Sequence, residues 1–320
     1  MPTQDSYRAP AWLPGGHIQT VWPLLLKGPL PPYQRERWDT PDGDFIDLDW
    51  LPHVPGAPLV ILFHGLEGSS RSGYARSLMR HLASLGWNGV VPHFRGCSGE
   101  PNRLPRSYHA GDADEIGWIL ERIATRHPTL PRYAAGVSLG GNALLLWLGR
   151  QREAARDTID RAAAIYAPLN FSATGHILGT GITRFYGQHF LATLKRNADT
   201  KLALHPGLFD REAMLRSRTL YEFDNIVTAP LHGFRDADDY WLQASSKPHL
   251  KHVSLPTLVL NPLNDPFLPA HYLPGPGEVS REIRLEHPRR GGHVGFVGGR
   301  WPGELNWLPG RLVRFFTQGA

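Results

Sequence analysis

The stretch DFIDLDW (44–50) alternates Ile46, Leu48 and Trp50 with Asp47 and Asp49, the period-two pattern of a strand with one face buried. Two runs of another kind follow. APLVILF (57–63) and NGVVPHF (88–94) are apolar almost throughout, as strands covered on both faces are. Between them Tyr74, Leu78, Leu82 and Leu85 recur at helical spacing, and Gly86 supplies a stop. Ile116, Ile119, Leu120 and Ile123 mark one face of a second helix, and RYAAGV (132–137), RAAAIYA (161–167), PTLVLN (256–261) and REIRLEH (281–287) read as further short strands. Strands alternating with helices predict an α/β fold with a mostly parallel central sheet and helices on both faces. The alternation breaks once. Residues 170–254 hold helix-like segments (ITRFYGQHFLATLKRN, REAMLRSRTLYEF, DADDYWLQAS) and no buried strand, which predicts a helical cap inserted into one domain of residues 34–320. No linker, low-complexity tract or repeat argues for a second domain. Residues 1–33, rich in Pro, Gly and Trp, read as an irregular N-terminal arm whose hydrophobic residues are buried on the domain surface; contact with an acyl chain or a membrane is the alternative.

Composition acts mainly by exclusion. At 320 residues, 41% hydrophobic and 20% charged, the chain suits one large folded domain. The formal charge of +5 is spread along the chain without a basic run, so no nucleic-acid partner is expected. A peripheral contact with anionic lipid stays open. Cys97 is the single cysteine, which excludes an intrachain disulfide and a thiolate zinc cluster and fits a reducing compartment. The opening MPTQDSYRAP lacks the regions of a signal peptide, and no apolar run approaches the ~18 residues of a spanning helix, so a cytoplasmic chain with no transmembrane segment is expected. His232, His249 and His252 make no metal motif, and no lysine-bearing phosphate loop follows a strand; neither metal nor cofactor is expected. Oligomeric state is not legible.

The candidate chemistry centres on AAGVSLGGNALLLWLG (134–149). With 34 glycines and fifteen serines, roughly 0.2 chance matches to G-x-S-x-G are expected, so the string matters only in context. That context is a short strand before Ser138 and a strong helix after it. A turn this tight strains the serine backbone, Gly136, Gly140 and Gly141 let neighbouring chain pass close, and the helix start aims free N–H groups where negative charge would develop. A nucleophilic serine needs a base, and the base an orienting acid; on this strand–turn–helix the chain order is Ser, Asp or Glu, His. Asp265 follows strand PTLVLN by four residues, and His293 sits in the glycine-flanked loop RRGGHVGF after the next strand. His271 and His287 lack such a loop, and Asp236, Asp238 and Asp239 read as helix-start or solvated charges. Two backbone donors complete an oxyanion hole: the N–H of Leu139, and from FHGLEGSS that of Leu66, with His64 bonding backbone rather than moving protons. Cys97 lacks a helix start and an ordered base. Arg95 and Tyr108 read as structural, and Asp112 and Asp114 as helix starts.

FHGLEGSS, FRGCSGEPNRLPRSYHAGD, GVSLGGN, LHGFRDADDYWLQASS, LNPLNDPF and RRGGHVGF, with the early PGGHIQTVWP, together resemble the YheT-type branch of the α/β-hydrolase superfamily over residues 9 to 316. That branch includes bacterial esterases and eukaryotic lipid hydrolases. The resemblance implies an α/β-hydrolase fold, Ser138, Asp265 and His293 as nucleophile, acid and base, and cofactor-free hydrolysis of small-molecule carboxylic esters. Short- to medium-chain acyl esters are expected; thioester, amide or lipid hydrolysis, or a non-catalytic binding role, are the alternatives. Related phospholipid hydrolases carry an N-terminal membrane anchor, of which the first residues here give no sign.

Overall fold

Polar as it is, QRERWD forms the first strand of the computed structural model, β1 (Gln34–Asp39), antiparallel to β2 (Phe45–Trp50). The register sets Arg35 opposite Asp49 and Arg37 opposite Asp47. Each arginine grips its aspartate through two hydrogen bonds of 2.7–2.9 Å. The half-buried reading of β2 is therefore corrected: Asp47 and Asp49 are buried like their apolar neighbours. Cross-strand arginines, together with His93 and Ser70 on Asp49, stand in for water. β1 itself escaped the pattern reading because Trp38 is its one buried side chain.

Residues 7–26 and 28–318 are described; residues 1–6 of the expected arm and 319–320 at the end of the expected domain lie outside them. The arm carries a short helix, α1 (Gly16–Val21). After β2 come β3 (Leu59–Phe63), α2 (Gly73–Ser84), β4 (Asn88–Pro92), α3 (Ala113–Arg126), β5 (Arg132–Val137), α4 (Leu139–Gln151) and β6 (Arg161–Ile165). The next stretch is helical: α5 (Phe171–Leu178), α6 (Arg184–Leu204), α7 (Arg211–Arg216), α8 (Leu220–Phe223), a π-turn at Asp224–Thr228, α9 (Ala229–His232) and α10 (Ala237–Ala244). β7 (Thr257–Leu260), β8 (Ile283–Glu286) and α11 (Trp307–Thr317) close the chain.

The sheet order is β1-β2-β4-β3-β5-β6-β7-β8, and only β2 runs against the others. Its two faces are both apolar, as the unbroken runs predict. Leu59, Ile61 and Phe63 of β3 pack with α3 and α4, while Val60 and Leu62 pack with α2 and α11. Because β3 and β5 to β8 are parallel, the loops that follow them gather along one edge.

Four of the helices between β6 and β7, α5, α7, α8 and α10, begin on side-chain caps: Asn170, Asp210, Thr219 and Asp236 each accept the N–H three residues on. Leu191, Ala198, Met214, Phe223 and Val227 form a small core among them. The arm departs from its expected pattern. Leu13 is buried with Val297 and Leu305, but along α1 the polar Gln19 and Thr20 are buried while Ile18 and Val21 are exposed. What α1 faces is a set of loop amides, which need acceptors rather than apolar cover.

Candidate active site

Ser138 follows β5 without a spacer and donates its N–H to the Ile165 carbonyl at 2.8 Å. Its backbone sits at φ 54°, ψ −120°, a conformation that costs a non-glycine residue about 1–3 kcal/mol and persists only where the surroundings impose it. Glycine makes room for it. A Cβ on Gly140 would lie 2.6 Å from the Phe63 carbonyl oxygen, and one on Gly136 would lie 2.6 Å from Gly141 Cα. Leu139 directly after it opens α4, so its N–H has no intrahelical acceptor.

The loops after β7 and β8 bring Asp265 and His293 to this serine. His293 Nε2 is 3.1 Å from Ser138 Oγ, and His293 Nδ1 is 2.8 Å from Asp265 Oδ2. Asp265 Oδ1 also accepts the Phe267 N–H at 2.8 Å, so both carboxylate oxygens are engaged. The carboxylate fixes the tautomer: Nδ1 carries the proton and Nε2 faces the serine hydroxyl as acceptor. Asp265 and His293 are only 4% and 5% exposed, and the Phe267 ring stacks on the imidazole with centroids 4.1 Å apart.

The His293 loop is bent through Val294 at φ 58° and Phe296 at φ 49°, with glycines at 291, 292 and 295. Its amides are tied to distant residues. The His293 N–H donates to Thr20 Oγ1 at 2.9 Å, the Gly291 N–H to Gln19 Oε1 at 2.9 Å, and the Gly295 N–H to the Tyr166 hydroxyl at 3.2 Å. Gln19 Oε1 also accepts from Asn264 Nδ2 at 3.0 Å, while Asn264 Oδ1 accepts the Gly292 N–H at 3.1 Å. One arm helix thus holds the acid-bearing and base-bearing loops in register.

A third loop supplies Leu66. Its neighbours are pinned: the Gly65 N–H donates to the Tyr74 hydroxyl and the Glu67 N–H to the Tyr108 hydroxyl, each at 2.8 Å. Tyr108 in turn donates to Glu67 Oε1 at 2.7 Å, and burial pushes the Glu67 carboxyl above its usual range. The Leu66 N–H finds no acceptor among the described residues. His64 is fully buried, and burial pulls its pKa down to about 3. Its neutral ring donates from Nδ1 to the Gly65 carbonyl at 2.8 Å and accepts the Phe94 N–H on Nε2 at 3.1 Å, a backbone-bonding role.

All five residues named from sequence meet here, while the other candidates lie apart. His287 bonds the Asn261 carbonyl, Asp236 caps α10, Asp112 pairs with Arg106, and burial drives the Cys97 thiol well above its ordinary value. Tyr108, read as structural, proves to brace the Leu66 loop. Gln19, Thr20, Tyr74, Tyr166 and Phe267 were missed; two adjacent polar residues inside an apolar arm were the one available signal. Ser138 and His293 line two adjoining cavities. One, of about 100 Å³, lies against the inserted helices beside Phe171, Leu178, Leu194 and Trp241. The other, of about 380 Å³, opens along the arm beside Val21, Leu24 and the 65–68 loop. Among the described residues no group of three or more His, Cys, Asp or Glu side chains is placed to hold a metal ion, and no helix is long and apolar enough to cross a membrane.

The family model "alpha/beta hydrolase fold" matches residues 58–299, which span the sheet from the loop before β3 to the His293 loop. The chain belongs to the α/β hydrolase family, in the branch that holds YheT and the ABHD3 proteins. It is 38% identical to "Putative esterase YheT" of Escherichia coli (strain K12), over 94% of this chain and 90% of that one. It is 28% identical to "Phospholipase ABHD3" of Homo sapiens, covering 98% of this chain and 79% of the relative. Among solved structures, the esterase EaEST from Exiguobacterium antarcticum shares the fold at a TM-score of 0.55 and 15% identity, over 88% of this chain and 99% of that one.

Proposed function

We propose that the protein hydrolyses short- to medium-chain carboxylic esters through an acyl-enzyme formed on Ser138. The observation that carries this reading is the Asp265–His293–Ser138 line, at 2.8 and 3.1 Å, beside the N–H groups of Leu66 and Leu139, which find no acceptor among the described residues. His293 Nε2 takes the Ser138 proton as Oγ attacks the ester carbonyl. The Leu66 and Leu139 amides receive the oxyanion, and Asp265 stabilises the imidazolium. Collapse of the tetrahedral species breaks the acyl–oxygen bond, and His293 passes its proton to the departing alcohol. Water, deprotonated by the same imidazole, then attacks the acyl-enzyme, and the carboxylic acid leaves with Ser138 restored. In this reading the helices between β6 and β7 act as a cap, the cavity beneath them takes the acyl group, and the alcohol departs along the arm.

A lipid ester is a second reading with its own support. The relatives include a phospholipase and the "Monoacylglycerol lipase" of Saccharomyces cerevisiae (strain ATCC 204508 / S288c), and Leu24, Leu25 and Phe185 on the arm and α6 are more than half exposed. The test is initial rates on p-nitrophenyl esters from acetate to dodecanoate. Wild type should turn them over, Ser138→Ala should lose the activity, and Asp265→Asn should fall on the order of 10⁴-fold. A maximum at the longest chains would favour the lipid reading. A folded wild type that neither turns over any ester nor takes a fluorophosphonate on Ser138 would leave a binding protein instead.

A further inference from the structure

The cavity against the inserted helices is apolar except at a few places, and two of those are not accounted for by ester hydrolysis. Thr174, on α5, lines this cavity and is 5% exposed, yet its hydroxyl has no hydrogen-bond partner among the described residues. A helical threonine ordinarily bonds the carbonyl one turn back, as Thr125, Thr193 and Thr200 do here. Thr174 does not. A buried hydroxyl left open in a native fold calls for an explanation, and an absent ligand is one.

Asp224 lines the same cavity. It opens the π-turn at Asp224–Thr228, a helical irregularity found often at functional sites. Its Oδ1 accepts from Thr228 Oγ1 at 2.6 Å and its Oδ2 from Trp241 Nε1 at 2.8 Å. Each oxygen keeps a further lone pair. Burial pushes this carboxyl up to about 6. The two residues belong to one packed unit. The Trp241 indole that donates to Asp224 rests its other end on Gly175, where a Cβ would lie 2.6 Å from Trp241 Cζ2; Gly175 directly follows Thr174.

The pair is chemically asymmetric. Thr174 offers one donor and acceptor capacity, whereas the Asp224 carboxylate only accepts. A hydroxyl is the ligand group whose chemistry matches both, since it can accept from Thr174 and donate to Asp224. An ammonium would leave the Thr174 proton unpaired, and an alkyl chain would leave both groups open. We propose that the acyl chain held in this cavity carries a hydroxyl group, which Thr174 and Asp224 recognise together. The proposal rests on the ester-hydrolase reading of Ser138. A purely structural Asp224, knitting the π-turn to α10, would explain its two existing bonds but not the open hydroxyl of Thr174.

The experiment compares matched p-nitrophenyl esters of plain and monohydroxylated acyl chains of equal length, with the hydroxyl stepped along the chain. The readout is the ratio of kcat/KM, hydroxylated over plain, taken on the same preparation so that any loss of folded protein cancels. In wild type one hydroxyl position should give a ratio of about ten or more. Thr174→Ser, which keeps the hydroxyl, should retain the preference at that position, while Thr174→Val and Asp224→Asn should bring it to near one. A ratio at or below one at every position overturns the proposal, and so does a preference that survives Thr174→Val. If wild type turns over plain esters normally without the preference, only this inference falls. If it turns over neither set and Ser138 takes no fluorophosphonate, the hydrolase reading falls with it.

Discussion

Replacing Thr20 by valine tests whether the arm helps to hold the base, and its cost can be worked from the contacts. The Thr20 hydroxyl donates to the Gly16 carbonyl at 2.7 Å and accepts the His293 N–H at 2.9 Å. Valine keeps the shape and removes the oxygen, leaving the buried His293 amide without an acceptor. An orphaned buried amide costs about 1–3 kcal/mol. The loop can avoid that cost by relaxing, because Val294 and Phe296 are held at positive φ against their own preference. To the extent that it relaxes, the imidazole leaves the Ser138 hydroxyl, and a bias of 1–3 kcal/mol corresponds to roughly 5- to 150-fold in rate. To the extent that it does not, the same free energy is lost from stability. Thr20→Val should therefore lower kcat about tenfold or more, slow fluorophosphonate labelling of Ser138 in proportion, and change KM by less than about threefold. Thr20→Ser should restore both rates. Steady-state kinetics, labelling rates and urea unfolding measured on the three proteins decide the matter. Kinetics within twofold of wild type, with the whole 1–3 kcal/mol appearing in unfolding, would refute the positioning role and leave the arm a purely structural brace.

Two further predictions concern the Leu66 loop. Tyr108→Phe removes the acceptor of the Glu67 N–H and the donor to the Glu67 carboxylate, so kcat should fall roughly 10- to 100-fold with little change in KM, short of the ~10²–10³ of an outright lost oxyanion donor; an unchanged kcat would mean that the loop holds its shape without the phenol. His64 has a folded pKa of about 3 because it is buried, below the ~6.5 of the unfolded chain, so the unfolded state takes the proton first as pH falls. Stability should then decline below pH 6.5 towards 3, by about 1.4 kcal/mol per unit from this ring once well below 6.5, and urea unfolding at pH 7, 5.5 and 4.5 should show a slope shallower by one proton in His64→Gln. Equal slopes in the two proteins would sink the assignment.

What was legible in the chain is what local backbone or local burial dictates. The β3 and β5 strands announce themselves because burial on both faces keeps charged residues out of five consecutive positions in each. β1 was not legible, since its polar residues are satisfied across the strand pair, Arg35 by Asp49 and Arg37 by Asp47, and a single strand's pattern cannot display a partner. The same pairing hid the burial of Asp47 and Asp49. Ser138 stood out because its strained turn needs glycines at 136 and 140, whose alternatives collide with backbone.

The residues that hold this centre in place left fainter marks, for a physical reason. An amide N–H can donate to almost any oxygen, from any part of the chain: Thr20 and His293 are 273 positions apart, and Tyr108 and Glu67 are 41. No spacing rule follows from such a bond. One kind of trace does survive. A helix that turns its polar residues inward breaks the usual amphipathic logic, and α1 does so, with Gln19 and Thr20 buried and Ile18 and Val21 in solvent. Inversion of that kind is stable only where unpaired backbone waits beneath, because burying a glutamine against apolar surface would cost more than burying the valine beside it gains. The amides of Gly291 and His293, freed by a loop too bent to bond itself, are that backbone. Read in this direction, an inward-polar helix near a chain terminus points to a glycine-rich loop elsewhere that cannot satisfy its own N–H groups, and the loop in question carries the imidazole that faces Ser138.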